Sequence, residues 1–578
     1  MNTPVRAAKV RSRKYSPSVA MRLVEEGTSP LLARILAGRG IESQAEVAGS
    51  LGSLHHHSAL KGAAEGAAFL ADCIQAGREL LVVADYDCDG ATACSVAVRG
   101  LRAFGANVSY IVPDRMVHGY GLTPSVVELA RSRFPTAEVI VTVDNGVASH
   151  TGVDRALELG FEVLVTDHHL PAKGKPLPAA RVIVDPSQPD CTFPSKALAG
   201  VGVIWYTLWA LQDELRERGT AIAGGFKVSK LLPLVAVGTV ADVVPLDRNN
   251  RILVQAGLER IRSGDTPPGV LALATAGVIN KTDPTQLLTT HIAFGIGPRI
   301  NAAGRLETMD VGIECLITDD VDLAQQLANK LDAINQERKE IENDTVIEAV
   351  EQADQLVQEG TRSIAVHSDK WHAGVIGIVA GRIKERRYRP TFVLTTDPAT
   401  GQIKGSGRSI PGFNLKDALD QVHKVCPEVM LKFGGHAMAA GVTLAPGTFE
   451  TFRDAFEAEA CRVLTDELLN QFVDVDGSLT GQELSPAVAK SLSGPPWGQM
   501  FPEPAFSDDF DIVEAKLGGT YKDQLNMVVC REGVTLKATR FRHEGPLPGT
   551  TARLVYKLSV VRNRKGQDEL KLLVDYVA

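Results

Sequence analysis

The sequence predicts an α/β protein: a parallel-sheet domain joined by a long helix to a smaller α/β domain, followed by a β-rich domain. Three observations carry this. Between about residues 79 and 185, five Val- and Ile-rich runs (ELLVVAD, NVSYIVP, AEVIVTVD, FEVLVTD and ARVIVDP) alternate with helix-like stretches such as ATACSVAVRGLRAFG and TPSVVELARSR. From 321 to 358 the chain is highly charged, helical in periodicity and free of Gly and Pro. After about 462 the β-type runs become short and closely spaced.

A chain of 578 residues exceeds what one hydrophobic core supports, so several domains are expected. Hydrophobic residues make up 44% and charged residues 22%, as in ordinary globular proteins. No apolar stretch is long enough to suggest a membrane span, and the basic start MNTPVRAAKVRSRKYS lacks the apolar segment of a secretory signal. That start reads as a solvated tail or as a short arm near phosphates. The eight cysteines form no C-x-x-C pair, which fits reduced thiols in a cytoplasmic protein rather than a disulfide frame or zinc site. A net charge of −8 excludes a bulk polycation, so any nucleic-acid contact must use a local basic groove.

Taken in order, the five apolar runs linked by helices indicate a parallel sheet buried on both faces. Ligands of such sheets bind beyond the carboxyl ends of the strands. A helical stretch, SKLLPLVAVGTVADVVPL, follows with Asp242 in a Gly- and Ala-rich turn, then the glycine-rich HIAFGIGPRINAAGRLE. The breaker-free helix bridges to a second α/β unit that starts near 362 and runs through GSGRS and GGHAMAAG. The runs FDIVEAKL, QLNMVVC, VTLKATRF, ARLVYKLSVV and ELKLLVDYV suggest a small β-barrel. The expected boundaries are an N-terminal segment at 1–60, the parallel-sheet domain at 61–320, the linker helix at 321–358, the second α/β unit at 359–461 and the β-rich domain at 462–578.

The chemistry concentrates at the ends of the apolar runs. ADYDCDG places Asp85, Asp87 and Asp89 directly after a strand; VTVDNG ends in Asp144, and VTDHHLP carries Asp167, His168 and His169. Carboxylates stacked this closely repel one another, and hard divalent cations such as Mg²⁺ or Mn²⁺ remove the conflict. Three such junctions within one domain point to metal-dependent phosphoester chemistry. Asp85 either binds metal or caps the following turn. Cys88 fits as small filler beneath the site. The tract His55–His57 looks metal-binding by composition, yet it lies in a polar stretch and reads as solvated.

With ADYDCDG, VTVDNG, TDHHLP and GTVADVVPL in this order, the chain resembles the DHH phosphoesterase superfamily. GSGRS and GGHAMAAG are similar to its companion (DHHA1) domain. GPRINAAGR and WHAGVIGIVAGRIKER narrow the resemblance to the bacterial branch of single-strand-specific 5′→3′ exonucleases. PPWGQMFPEPAF at 495–506 looks like the lead-in to that branch's OB-like domain.

The resemblance implies two ions, Mn²⁺ or Mg²⁺, about 3.5–4 Å apart, which clamp a phosphodiester. Their implied ligands are Asp87, Asp89, Asp144 as the bridge, His168 and Asp242. Many relatives carry a His where this chain has Val83, so the two ions are expected to bind with unequal affinity. His169 is expected to touch the scissile phosphate, or to pair with Asp167 as support; both are candidate catalytic residues. Arg408, Ser409, Gly434, Gly435 and His436 would hold the nucleotide. Arg115, Tyr120, Arg299, Asn301 and Arg305 are candidates for binding DNA through phosphate-matched guanidinium forks and their neighbours. The basic run Arg382, Lys384, Arg386, Arg387 and Arg389 lines a strand channel or is a solvated helix end. Tyr521, Phe541 and Tyr556 are read as core residues of the barrel.

The expected activity is release of 5′-mononucleotides from single-stranded DNA in repair and recombination, in the bacterial cytoplasm and at the nucleoid. The chain is expected to act as a monomer with single-stranded-DNA-binding protein and a RecQ-type helicase as partners and no membrane contact. Competing readings are cleavage of short oligonucleotides or cyclic dinucleotides, and a non-catalytic DNA-binding scaffold.

Overall fold

The computed structural model describes residues 9–47, 49–114, 118–276, 283–357, 360–519, 522–562 and 566–577. The chain forms two compact units. One comprises residues 15–335 together with 490–503; the other comprises 1–14, 336–489 and 504–578. Among the described residues no helix is long and apolar enough to cross a membrane.

The first unit is built on five parallel strands in the order Asn107–Ile111, Glu79–Ala84, Val139–Val143, Glu162–Thr166, Val182–Val184. Glu79–Ala84 comes first in the chain but second in the sheet, so the strand order reverses beside it. The crevice at such a reversal is where open α/β sheets bind ligands. Register then sets the chemistry. Ala84 pairs with Val143, Val143 with Thr166, and Thr166 with Val184. The next residue in each strand is an aspartate, so Asp85, Asp144, Asp167 and Asp185 form one row along the carboxyl edge. One sheet face packs Leu81, Val83, Ile140 and Val163 against the helices Pro124–Arg133 and His150–Glu158. Val83, where relatives carry a His, is fully buried in this cluster.

The segment 490–503 is a departure from the expected boundaries. PPWGQMFPEPAF does not simply lead into the barrel; most of it is part of the parallel-sheet unit. Trp497 is buried, donates from its indole to the Leu492 carbonyl (2.6 Å), stacks on Phe501 and lies under Arg39. The Leu246 amide donates to the Gln499 carbonyl, and Arg251 covers the Phe501 ring. A Pro- and Gly-rich run reads as a linker, but its two aromatic rings need a core, and they find one here.

The second unit has a mixed five-stranded sheet in the order Met430–Gly435, Ala439–Leu444, Ile403–Arg408, Thr391–Thr396, Ile364–His367, of which only the last pair is parallel. Its core is built around Phe392, Phe452 and Phe456. The β-rich region closes into a five-stranded barrel from Phe506–Gly518 to Asp568–Val577. Tyr556 is buried in it, with its hydroxyl on Asp508 (2.6 Å), whereas Phe541 is 61% exposed and does not join the core. Tyr521 lies outside the described residues.

Within the basic start, the described residues from Lys9 on are held by strand pairing. Residues Lys9–Ser12 form a strand parallel to Phe472–Val475, and Arg11 pairs with Asp474. The linker helix runs Val321–Leu356, close to its expected 321–358. The run after 382 is held by ion pairs: Arg382 with Glu342, Arg386 with Glu544 and Arg387 with Asp354. These contacts favour neither a free helix end nor an open cationic channel.

Trp497→Ala removes a buried indole and its hydrogen bond and should lower stability by about 3–5 kcal/mol. A denaturant titration followed by tryptophan fluorescence and circular dichroism checks this; an unchanged midpoint would make the 490–503 segment a passive linker.

Candidate metal centre

The centre assembles at the reversal of strand order. Asp87 is the N-cap of the helix Cys88–Ala103, its Oδ1 accepting from the Gly90 amide (3.0 Å). The capping role considered for Asp85 is therefore filled by Asp87. In the first turn of that helix, Asp89 is buried, with Oδ2 accepting from the Gly200 amide (2.6 Å) and Oδ1 from the Val201 amide (2.9 Å). These amides are the open end of the helix Gly200–Glu217, where backbone donors and the helix dipole favour an anion.

Asp144 adopts a left-handed conformation (φ 62°) in its D-N-G turn. Asn145 holds that turn in place by donating to the Val83 and Val143 carbonyls (3.1 and 2.9 Å). Gly146 follows at φ 120°, a value that a β-carbon would strain. The Asp144 carboxylate is also pressed by the helix 200–217: a β-carbon on Gly200 would sit 2.6 Å from Asp144 Cβ and Oδ1.

Three overlapping groups bring ligand atoms within 4.8 Å of one another: Asp85, Asp87 and Asp144; Asp89, His168 and Asp242; and Asp144, His168 and His169. His168 Nε2 lies 3.1 Å from Asp144 Oδ1 and 3.7 Å from Asp242 Oδ2. Asp144 Oδ1 is buried yet accepts no hydrogen bond from any described residue. The imidazole and the carboxylate thus face a common point rather than bond to each other. A hard cation at that point satisfies both, so these residues fit two divalent ions.

Charge confirms the need. Burial, reinforced by neighbouring Asp87, pushes Asp89 up to about 7. Burial, then Asp89 and Asp87, push Asp242 up to about 9. Asp144 is raised well above the usual carboxylate range by burial and by Asp89, Asp87 and Asp85.

Asp167 is no ligand of this kind. Its Oδ1 accepts from the His168 amide (2.7 Å) and from His169 Nδ1 (2.7 Å), while Oδ2 accepts from the Val147 amide (2.9 Å). Burial opposes its charge, but the bond and charge of His169 outweigh it, so the carboxyl stays low. In return Asp167 overcomes the burial of His169 and raises that imidazole to about 9. The far nitrogen, His169 Nε2, meets the Tyr120 hydroxyl (3.0 Å), and the Tyr120 ring is 50% exposed.

The remaining candidates divide. Asn301 Oδ1 accepts from the Cys88 amide (2.8 Å), so it braces the first turn that carries Asp87. Arg305 is half-buried on the same helix, Gly297–Leu306. Arg299 corrects the expectation of a DNA contact. It is 3% exposed, paired with Asp332 (2.8 Å) and bonded to the Gly295 and Ala276 carbonyls. Arg115 lies outside the described residues.

In the second unit, Arg408 bonds to Ser406 and the Gly407 carbonyl. Ser409 is buried with its hydroxyl on the Phe413 carbonyl (2.6 Å), so it braces the turn and has no hydroxyl to offer a nucleotide. Gly434 and Gly435 end the strand Met430–Gly435, and directly after them the His436 amide donates to the Ala439 carbonyl while the His436 side chain is exposed.

Sequence reasoning missed Asp185, buried at the end of the fifth strand and raised to about 8 by burial and by Asp167. Its signal was available, since ARVIVDP ends in Asp as the other runs do. It also missed the Gly200 and Val201 amides, which leave no side-chain mark beyond the glycine itself.

Known proteins add their findings to this geometry. Residues 79–239 match the DHH family N-terminal domain, 360–460 the DHHA1 domain and 475–576 the RecJ OB domain. The chain is 43% identical over 559 residues to the single-stranded-DNA-specific exonuclease RecJ of Salmonella typhimurium, covering 94% of this chain and 95% of the relative. The Escherichia coli protein of the same name is 42% identical, with 95% and 96% covered. Thermus thermophilus RecJ in complex with Mn²⁺ superposes with a TM-score of 0.80 at 29% identity, over 99% of this chain and 79% of that one. The same protein has also been solved with Mg²⁺, with a TM-score of 0.74 at 28% identity, over 99% of this chain and 78% of that one.

Two predictions follow from the geometry. The folded, metal-free centre holds more protons than the unfolded chain between the ordinary aspartate value of 3.8 and the raised values of about 7 and about 9. Its contribution to stability therefore falls as pH rises through that window, while ions compete better with fewer protons. The rise in melting temperature caused by Mn²⁺ should grow from pH 5 to about pH 9; a pH-independent rise would contradict this. Gly200→Ala should displace Asp144 and weaken Mn²⁺ binding by about 10–100-fold, the range for altered support of metal ligands. Calorimetric titration measures it, with circular dichroism confirming an intact fold.

Proposed function

The chain belongs to the RecJ family of single-stranded-DNA-specific exonucleases, and on that premise we propose that it degrades single-stranded DNA 5′→3′ to 5′-mononucleotides by phosphodiester hydrolysis. The observation that carries the reading is the buried row of strand-end aspartates, with Asp144 Oδ1 and His168 Nε2 facing one shared point. Two divalent ions, Mn²⁺ or Mg²⁺, are its cofactors; when bound they supply positive charge to the phosphodiester and acidify water.

Asp87, Asp89, Asp144, His168 and Asp242 are proposed as the ligands, with Asp85 completing an oxygen-only group beside Asp87 and Asp144. The other group contains the His168 nitrogen. With Val83 in the core, no imidazole joins the oxygen-only group from that position, so the two ions are held by different donors and with unequal affinity.

The chain's other groups orient and hold. Asp167 fixes the direction of His169 and keeps it protonated, so that Nε2 holds a proton for a phosphate oxygen once the Tyr120 hydroxyl gives way. Tyr120 and Arg305 are proposed as contacts to the strand. Arg408 and His436 are proposed as contacts to the nucleotide, His436 following a strand end where Gly435 lets the two strands of the hairpin close on each other. Single-stranded-DNA-binding protein and a RecQ-type helicase are proposed as partners that present strands, with the chain acting as a monomer in the cytoplasm and at the nucleoid.

The experiment uses the full chain with Mn²⁺ and a 5′-labelled strand, its duplex and a 3′-labelled strand. Immediate release of labelled mononucleotide from the first, stepwise shortening of the third and an intact blunt duplex are expected. Asp144→Asn should slow release by more than about 100-fold, beyond the range of changes that only reorient ligands. Cleavage of di- and trinucleotides with long strands left whole would overturn the reading.

A further inference from the structure

A second group of metal-capable side chains lies apart from the aspartate row: His56, His57 and Asp213, with donor atoms within 4.8 Å of one another. His57 does not fit the solvated reading of its tract. Its side chain is 12% exposed, its Nε2 lies 3.1 Å from Asp213 Oδ2, and its Nδ1 is buried with no hydrogen-bond partner among the described residues. The His56 and His57 rings lie 4.1 Å apart, and both rest against Trp209, at 5.3 and 5.2 Å.

Trp209 and Asp213 are four residues apart on the helix Gly200–Glu217, so they share the face that receives the two rings. Arg216 holds Asp213 Oδ1 (3.2 Å), which leaves Oδ2 toward His57. His56 Nδ1 lies 3.0 Å from the Ser58 hydroxyl. Nδ1 also accepts from the Ser58 amide (3.2 Å), so the neutral ring carries its proton on Nε2, and an ion bound there displaces that proton and exchanges the amide cap for the hydroxyl contact.

We propose that His56, His57 and Asp213 form a separate binding site for a borderline divalent cation of the Zn²⁺ type. Two nitrogens to one oxygen suit such an ion, whereas the groups of the aspartate row are oxygen-rich, as Mg²⁺ and Mn²⁺ favour. Three protein ligands beside an exposed His56 leave the fourth position to water. Asp213 stands thirteen residues into its helix, about 20 Å from the turn that grips Asp89 at 1.5 Å per residue. The ion would staple the 55–59 segment to the helix whose first amides hold the active centre, and so stabilise that platform without taking part in the chemistry.

The test measures bound zinc per chain by elemental analysis after chelator treatment and dialysis against Zn²⁺, with melting temperatures alongside. Zinc can also enter the acidic centre, so wild type is compared with His56→Ala, Asp213→Asn and Asp144→Asn. Wild type should bind one equivalent more than His56→Ala or Asp213→Asn and show a larger zinc-dependent melting shift. Asp144→Asn should keep that equivalent. His56 is exposed, so His56→Ala should melt with wild type in the absence of zinc. Equal zinc content in wild type, His56→Ala and Asp213→Asn overturns the proposal, as does zinc lost only in Asp144→Asn.

Discussion

Strand register places four carboxylates side by side at the exit of a buried sheet, and the rest of the parallel-sheet unit answers that constraint. Asp85, Asp144, Asp167 and Asp185 follow residues that pair directly across the four strands. Four neighbouring charges out of water cannot all persist unpaired. The protein resolves the outer pair itself. Asp167 keeps its charge because two backbone amides and His169 surround it, and Asp185 is raised to about 8 by burial and by Asp167, which favours its neutral form. The inner pair is left with less internal compensation, and there the helix carrying Asp87 and Asp89 adds further negative charge. The site is thus an electrostatic deficit that the fold maintains and that cations fill.

The same logic explains why small residues surround the centre. Asp89 is stabilised by the first amides of the helix Gly200–Glu217, which requires that helix to start against the carboxylates. Gly200 permits the approach to Asp144, and Gly238 permits the helix Leu232–Ala241 to pass Asp89, where a β-carbon would come within 2.9 Å of its Oδ1. Ligand position is set by helix packing in the core, so substitutions that touch no ligand reach the metals through steric displacement.

Much of this was legible in the sequence, for physical reasons. Buried parallel strands read as continuous Val and Ile runs, and a carboxylate ending each run is a chemical signal that side-chain identity alone carries. That made the sheet, the long helix, the barrel and the aspartate and histidine motifs visible. Backbone donors such as those of Gly200 and Val201 have no side-chain signature. Long-range docking is equally silent: nothing local tells Trp497 to pack against Arg39 or Phe501 against Arg251 in the parallel-sheet unit, or Lys9–Ser12 to pair with Phe472–Val475. His57 read as polar surface because the ring of Trp209, far along the chain, is what covers it.

Arg299 shows how a motif can mark a site without touching substrate. An arginine in a glycine-rich run matches phosphate recognition by residue type, yet a guanidinium that is 3% exposed must satisfy its charge internally, and Asp332 with two carbonyls does so. The consequence is positional. With Arg299 fixed, Asn301, two residues on, reaches the Cys88 amide, an open donor at the start of the helix that Asp87 caps. Gly304 continues the contact, since a β-carbon there would strike the Tyr86 carbonyl at 2.0 Å. The motif clamps the turn that presents Asp85, Asp87 and Asp89.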